Sequence, residues 1–213
     1  RLSENTTYYY RAFAIVADEY KYGIVRSFST EALGEAIDLG LSVKWASHNM
    51  GAATPEEAGS YYAWGETEEK DLYGWSNYKW CNGHYFSITK YCTDSSYGTV
   101  DNKSTLDSED DVAHIKWGGG WRIPTVDEMN ELIEQCSWQW TTVNEISGCK
   151  VTGPNGNSIF LPIDALKKGC YWLNKKAHED NSCAYYLYFC DGAQSVYAAQ
   201  RCEGLTVRPV KDY

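Results

Sequence analysis

The run Gly118-Gly-Gly-Trp-Arg-Ile-Pro-Thr-Val-Asp-Glu-Met-Asn-Glu-Leu132 constrains this chain more than any other segment. Thr125 is a good N-cap, and Glu128 three residues on completes a capping box, each side chain answering the other's free backbone N–H. Val126, Met129, Leu132, Ile133 and Cys136 then recur at helical spacing. The helix therefore has one apolar face and must pack against something larger.

The rest of the chain supplies that partner as strands. Ile37, Leu39, Leu41, Val43 and Trp45 alternate with Asp38, Gly40, Ser42 and Lys44, which predicts a half-buried strand over 37–45. Residues 49–60 read as a short helix, with Thr54 as cap and Pro55 at its first position. From Tyr61 to Trp121 the chain is polar and aromatic with little periodicity; a loop this long is functional or folded around its own side chains. Asp110–Trp117 reads as a short helix inside it. Cys149–Thr152 and Asn157–Leu161 flank Gly-Pro-Asn-Gly, a strong hairpin turn. Ala184–Phe189 and Leu205–Val210 read as closing strands. The expected class is α+β.

Residues 1–31 form a separate piece by pattern: Thr6–Ala14 alternates, a turn falls near Asp18–Lys21, and Tyr22–Phe28 returns, which predicts a hairpin. Ser29–Glu35 reads as a linker. Residues 32–213 then form the main domain. The chain starts at Arg1 without Met and shows no signal peptide, so it reads as a fragment or a mature segment.

A net charge of −10 argues against nucleic-acid and anionic-membrane surfaces, which need clustered Lys and Arg. No apolar run approaches the ~20 residues of a membrane helix. Eighteen tyrosines and nine tryptophans fit either strand structure or a ligand-contact surface. Eight cysteines match no zinc spacing and are open to disulfide pairing in an oxidising compartment or to remaining free.

Several phrases carry a family resemblance. Ala36-Ile-Asp-Leu-Gly-Leu-Ser-Val-Lys-Trp-Ala46, Tyr61-Tyr-Ala-Trp-Gly-Glu66, Trp117-Gly-Gly-Gly-Trp-Arg-Ile-Pro-Thr125, Gly156-Asn-Ser-Ile-Phe-Leu-Pro162 and Val207-Arg-Pro-Val210 resemble the Fibrobacter major paralogous domain. The resemblance implies a C-type-lectin-like fold, shared with formylglycine-generating enzymes and with the variable proteins of diversity-generating retroelements. It also implies a surface or secreted recognition module of the kind found in gut bacteria, some carried on lipoproteins. The hairpin of 1–31 resembles the last two strands of a fibronectin type III or immunoglobulin-like domain, with Tyr8 in the place of the corner tyrosine. The chain departs from the family between Leu161-Pro162 and Tyr171-Trp172, where its loop is shorter and carries Lys167 and Lys168.

Function follows from that resemblance and from residue chemistry. Variable residues of the retroelement proteins concentrate between a Tyr-Trp phrase and the terminal strand, which here is 171–204. Ligand-contact candidates by position are Trp172, Asn174, Lys176, His178, Asp180, Asn181, Tyr185, Tyr197, Gln200 and Glu203, with Trp172 and Tyr185 equally open to a core role. The expected activity is non-catalytic recognition or adhesion toward a protein or glycan on another cell or host surface. The alternatives are a sugar-binding lectin, a formylglycine-generating type of enzyme and a structural module of a surface fibre. Calcium would need hard oxygen ligands, for which His178-Glu-Asp-Asn181 is the lectin-like position; the acidic run Asp107–Asp111 could also attract a cation, though such a run more often caps the next helix. Cys81-Asn-Gly-His84 has a metal-like spacing with no second pair nearby. No histidine sits in a nucleophile–base phrase, so no cofactor and no catalytic residue are expected.

Overall fold

The computed structural model describes residues 6–29, 33–164 and 168–213, and the chain divides into two compact units, Arg1–Leu33 and Gly34–Tyr213. The boundary expected at 31/32, the middle of the 29–35 linker and Lys167 lie outside the described residues. In the first unit, β1 (Thr7–Tyr10), β2 (Phe13–Val16), β3 (Glu19–Tyr22) and β4 (Arg26–Ser29) form one interrupted hairpin. β1 pairs antiparallel with β4, placing Tyr8 opposite Phe28, and β2 pairs with β3, placing Phe13 opposite Tyr22. The turn sits at Ala17 and Asp18, both at positive φ (51° and 63°), rather than at 18–21. Two left-handed residues match the twist of the flanking strands, and Asp tolerates that conformation.

The second unit is mostly β with few helices. Its elements are β5 (Ala36–Ile37), β6 (Lys44–Ala46), α1 (Val112–Trp117), β7 (Trp121–Arg122), α2 (Val126–Gln135), β8 (Ser137–Val143), β9 (Ile146–Thr152), β10 (Ser158–Pro162), β11 (Gly169–Lys176), β12 (Cys183–Cys190), β13 (Ala193–Gln200) and β14 (Val210–Lys211). They build three antiparallel sheets, β10-β9-β8, β11-β12-β13 and β5-β6-β14-β7. α2 lies against β11 and β13. Met129 and Leu132 of α2 join Leu39, Leu41, Val43, Trp45, Val151, Leu161, Leu173, Leu187, Phe189 and Val210 in one core. No helix among the described residues is long and apolar enough to cross a membrane.

The capped helix forms where the sequence places it. Thr125 Oγ1 accepts from the Glu128 N–H at 3.2 Å, and Glu128 Oε2 accepts from the Thr125 N–H at 2.8 Å. Arg122 adds a bidentate pair to the same carboxylate, at 2.8 and 2.6 Å, so the strand before the helix and the helix start are clamped together. α1 also forms, capped by Asp111, whose Oδ1 accepts from Ala113 and His114 and whose Oδ2 accepts from Ile123.

Three expectations are corrected. The alternation over 37–45 predicts the burial, since Leu39, Leu41 and Val43 are all buried, but not the backbone. Asp38 Oδ1 accepts from the Gly40 N–H at 2.7 Å, with Gly40 at φ 77°, and Glu131 grips the Ser42 N–H and hydroxyl, so only the two ends are strand. Residues 49–60 make turns instead of a helix, because the chain folds back where the Ser60 N–H donates to Met50 O, with Gly51 and Gly59 both at positive φ. Leu205–Val210 contributes mainly isolated bridges, Tyr62 to Leu205 and Tyr171 to Thr206, before the short β14. The β8–β9 hairpin, missed because its turn is Asn144-Glu145 rather than Asn-Gly, closes with both residues left-handed (φ 46° and 68°).

The 61–106 segment contains only one 3₁₀ turn, Trp75–Asn77, and is held from below by a buried arginine. Arg201 Nε donates to the Tyr78 hydroxyl at 3.0 Å, Nη1 to the Tyr91 and Asn181 carbonyls at 3.1 Å, and Nη2 to the Lys90 carbonyl at 2.9 Å. Its guanidinium also lies 4.8 Å from the Trp64 ring centroid. Arg208 repeats the device below β6 and β10, donating to Asn49 Oδ1, Ala46 O and Phe160 O at 2.8, 3.0 and 2.8 Å.

Two outcomes follow. Burial opposes ionisation of Glu128, yet the Arg122 pair and the Thr125 N–H outweigh it and hold the carboxyl below its ordinary 4.5. A depressed carboxylate stabilises above its unfolded pKa, and that contribution disappears as pH falls through the folded value. Glu128→Gln should therefore cost about 1–3 kcal/mol at pH 7, with the gap to the parent closing below pH 4.5; urea unfolding across pH tests this, and a gap that ignores pH refutes it. Arg201→Met should cost about 3 kcal/mol or more by stranding buried carbonyls, and limited trypsin digestion should then cut first at Lys70, Lys79 or Lys90.

Candidate functional site

The ten candidate residues of 171–204 do not share one surface. Trp172 is buried, its Nε1 donating to Tyr62 O at 2.7 Å and its ring edge-on to Tyr186 at 6.3 Å. Lys176 is 3% exposed, with Nζ donating to the Ala177 carbonyl at 3.1 Å; burial and then Arg201 push its pKa down. Asn181 is buried and its Oδ1 accepts from the Thr93 N–H and hydroxyl at 2.7 and 3.1 Å. These three are corrected from ligand contacts to internal groups: Trp172 and Asn181 tie the sheet to the 61–106 segment that lies over it, and Lys176 is buried beneath it, with its backbone N–H on Ser104 O. Asn174 is half-buried, its backbone bonded to Pro124 and Leu106. Asp180 is half-buried and spends Oδ1 on Ser182 and Oδ2 on the Cys183 thiol. Tyr185 packs on the main core, its hydroxyl accepting from the His178 N–H at 3.2 Å. His178, Tyr197, Gln200 and Glu203 are exposed, with Gln200 Oε1 accepting from Trp75 Nε1 at 3.0 Å.

What the strands do bring together follows from their pleat. On β11–β12–β13, Tyr171, Leu187 and Val196 sit in register and face the core. The intervening residues face outward, so Trp172 stands beside Tyr186 and Tyr186 beside Tyr197, while Cys170 stands beside Tyr188 and Tyr188 beside Ser195. The Tyr188 and Tyr197 rings meet edge to face at 5.8 Å. The 61–106 segment covers the Trp172 end of this face, leaving the half-buried Cys170, Tyr186, Tyr188 and Ser195 and the exposed Tyr197 as a ledge.

Two cavities border the ledge. One of about 280 Å³ is lined by Tyr188, Tyr197, Ser195 and the Gly192–Gln194 turn. The other, of about 200 Å³, is lined among others by Tyr61, Asp164, Lys168, Cys170 and Glu203. Burial raises the Tyr186 pKa first, and the nearby Cys170, Glu203, Tyr188 and Tyr197 groups add to it, so these side chains share one electrostatic neighbourhood. The Tyr61 hydroxyl is likewise raised, by burial and then by Asp164 and Cys170. Among the described residues, neither the Glu203 carboxylate nor the Tyr186 and Tyr197 hydroxyls have a hydrogen-bond partner.

Tyr186 and Tyr188 were readable from sequence, because they alternate with the apolar Leu187 and Phe189. Choosing Tyr185 instead picks the wrong face, since a one-residue shift inverts every side chain of a strand. Tyr61 and Cys170 join them only through the bridges Tyr62–Leu205 and Tyr171–Thr206, for which no sequence signal exists.

The metal-like patterns resolve differently. His178 and Glu179 are exposed while Asp180 and Asn181 are tied inward, so the loop presents no convergent oxygen set. Asp107, Glu109 and Asp110 do converge, with carboxylate oxygens within 4.8 Å of one another. The Lys90 ammonium lies among them, at 2.8, 3.1 and 2.6 Å, and Tyr91 donates to Asp110 at 2.6 Å. Cys81 Sγ points at Trp75 O while His84 stacks on Tyr85 at 4.5 Å. All eight cysteines are thiols, and burial pushes those of Cys136, Cys149, Cys170, Cys183 and Cys202 up to about 11.

Scans against protein-family models, curated proteins and solved structures give no match for this chain.

A thiol at that pKa is a poor nucleophile at neutral pH. Iodoacetamide should therefore alkylate Cys170 in the native chain roughly a hundredfold more slowly at pH 7.5 than in urea. Peptide mass spectrometry reads the rates; near-equal rates would mean an unperturbed, accessible thiol and refute the shift, and a native rate above that in urea would mean an activated thiol and revive the enzymatic alternative.

Proposed function

We propose that this chain is a non-catalytic recognition or adhesion module of the C-type-lectin-like kind, displayed at a cell surface or secreted and carried behind a fibronectin type III or immunoglobulin-like module. Its partner is a protein or glycan on another cell or host surface. Contact runs through the outward ledge of β11–β13, with Tyr186, Tyr188 and Tyr197 supplying area and Glu203 supplying direction.

One observation carries this reading: three tyrosines lie side by side on the outer face of a sheet whose inner face is locked into the core. Strand backbone on a packed core is rigid, so ordering such a surface on binding costs little. Tyrosine adds large contact area with few rotatable bonds and a polar tip. Thiols held neutral by burial favour binding over chemistry. Calcium-dependent sugar capture is less well supported, because Asp180 is spent on Ser182 and Cys183 and Asn181 on Thr93.

The test is an array of glycans and extracellular proteins probed with the parent chain and with Tyr186→Ser/Tyr188→Ser/Tyr197→Ser. Loss of each central ring should cost about 1–3 kcal/mol of affinity, roughly 5- to 150-fold, with the melting curve little changed and EDTA without effect. Ligands that bind the triple variant as tightly as the parent would place recognition elsewhere and sink the reading.

A further inference from the structure

We infer that the ledge takes a cationic group, the guanidinium or ammonium of a basic segment on a partner protein, seated between Glu203 and the tyrosine rings. This rests on the recognition reading above and names the chemistry that the face selects.

The argument starts at Glu203. It lies in the tight turn after β13, where its own N–H donates to the Gln200 carbonyl at 2.9 Å. One side of the turn is fixed by the buried Arg201. The other is fixed by Leu205, which exchanges backbone bonds with Tyr62 at 2.9 and 3.1 Å. Gly204 leaves no room to shift, since a Cβ there would sit 2.7 Å from the Tyr73 ring. Glu203 is therefore an exposed carboxylate on a fixed backbone, and no cation of the described chain pairs with it.

The surroundings point the same way. Glu203 and Asp164 line the cavity that Cys170 shares, together with Lys168 among the described residues. Cys170, in that cavity, stands opposite Tyr188 in the strand register, and Tyr186 of the same outward face feels the Glu203 charge and stands opposite Tyr197; the faces of tyrosine rings attract cations. The chain also carries a net charge of −10, which draws a basic partner from a distance. Elsewhere in this fold the same pairing of ring and cation is used internally, with Arg201 over Trp64 at 4.8 Å and Lys79 over Trp80 at 4.2 Å. An anionic ligand would meet an uncompensated carboxylate. A neutral sugar could stack on the rings and would be indifferent to exchanging Glu203 for its amide.

The experiment uses the full chain and three capped peptides of equal length, alternating Gly–Arg, Gly–Glu and Gly–Ser, titrated calorimetrically at low and at physiological salt. The Gly–Arg peptide should bind and the other two should not. Glu203→Gln and the exposed Tyr197→Ser should each weaken that binding roughly five- to tenfold. Glu134→Gln, which removes the same charge from the exposed end of α2, should leave it within about twofold. Equal weakening by Glu203→Gln and Glu134→Gln, or no Gly–Arg binding, overturns the proposal. The two readings fail separately: if array ligands need the tyrosines while Gly–Arg peptide does not bind, the ledge stands and the cation is wrong. If neither depends on the ledge, both fall.

Discussion

The guanidinium of Arg201 is the contact on which the rest of the second unit depends. A charge buried without a carboxylate is costly unless its donors are all met. Here one hydroxyl and three carbonyls, drawn from Tyr78, Tyr91, Asn181 and Lys90, meet four of its five N–H donors. Because those acceptors come from two stretches of the 61–106 segment and from the β11–β12 connection, a single side chain sets where a long segment without regular structure must lie. Arg208 does the same for the 46–49 stretch and β10, at a cost visible in its own chemistry, since burial pushes its pKa down to about 10.

The placement of that segment decides what the sheet can show. Trp172 has its indole N–H taken by Tyr62, Trp64 donates to the Leu173 carbonyl at 2.8 Å, and the Asn181 amide is taken by Thr93. Half of the outer face of β11–β13 is thereby converted into a second buried layer. The uncovered half keeps Tyr186, Tyr188 and Tyr197, with Glu203 at its rim. The display is rigid because the covering and the display use the same strands: each outward tyrosine has a core residue as its chain neighbour.

The acidic surplus is also arranged rather than merely scattered. Asp107, Glu109 and Asp110 converge on Lys90, whose burial opposes its charge while the carboxylates outweigh it. Asp111 is consumed as a helix cap, and Asp101 accepts from the Tyr91, Cys92 and Lys103 N–H groups. The carboxylates left without internal work therefore stand out, and Glu203 is one of them, at the rim of the tyrosine ledge.

Local rules made much of this legible in the residues. The Thr125–Glu128 cap, the α1 helix, the Gly-Pro-Asn-Gly hairpin and the burial of Leu39, Leu41 and Val43 all arise from interactions spanning a few positions, and such interactions are written into neighbouring side chains. The face of a strand is local too, and the alternation of Tyr186, Leu187, Tyr188 and Phe189 carried it. Which outward residues stay open was not local. It hangs on an arginine at 201 meeting carbonyls at 90, 91 and 181, and on a bridge from 62 to 205. Contacts between positions that far apart leave no periodic trace in the chain, so Asn181 read as a surface group and Trp172 as surface or core alike until folding covered them.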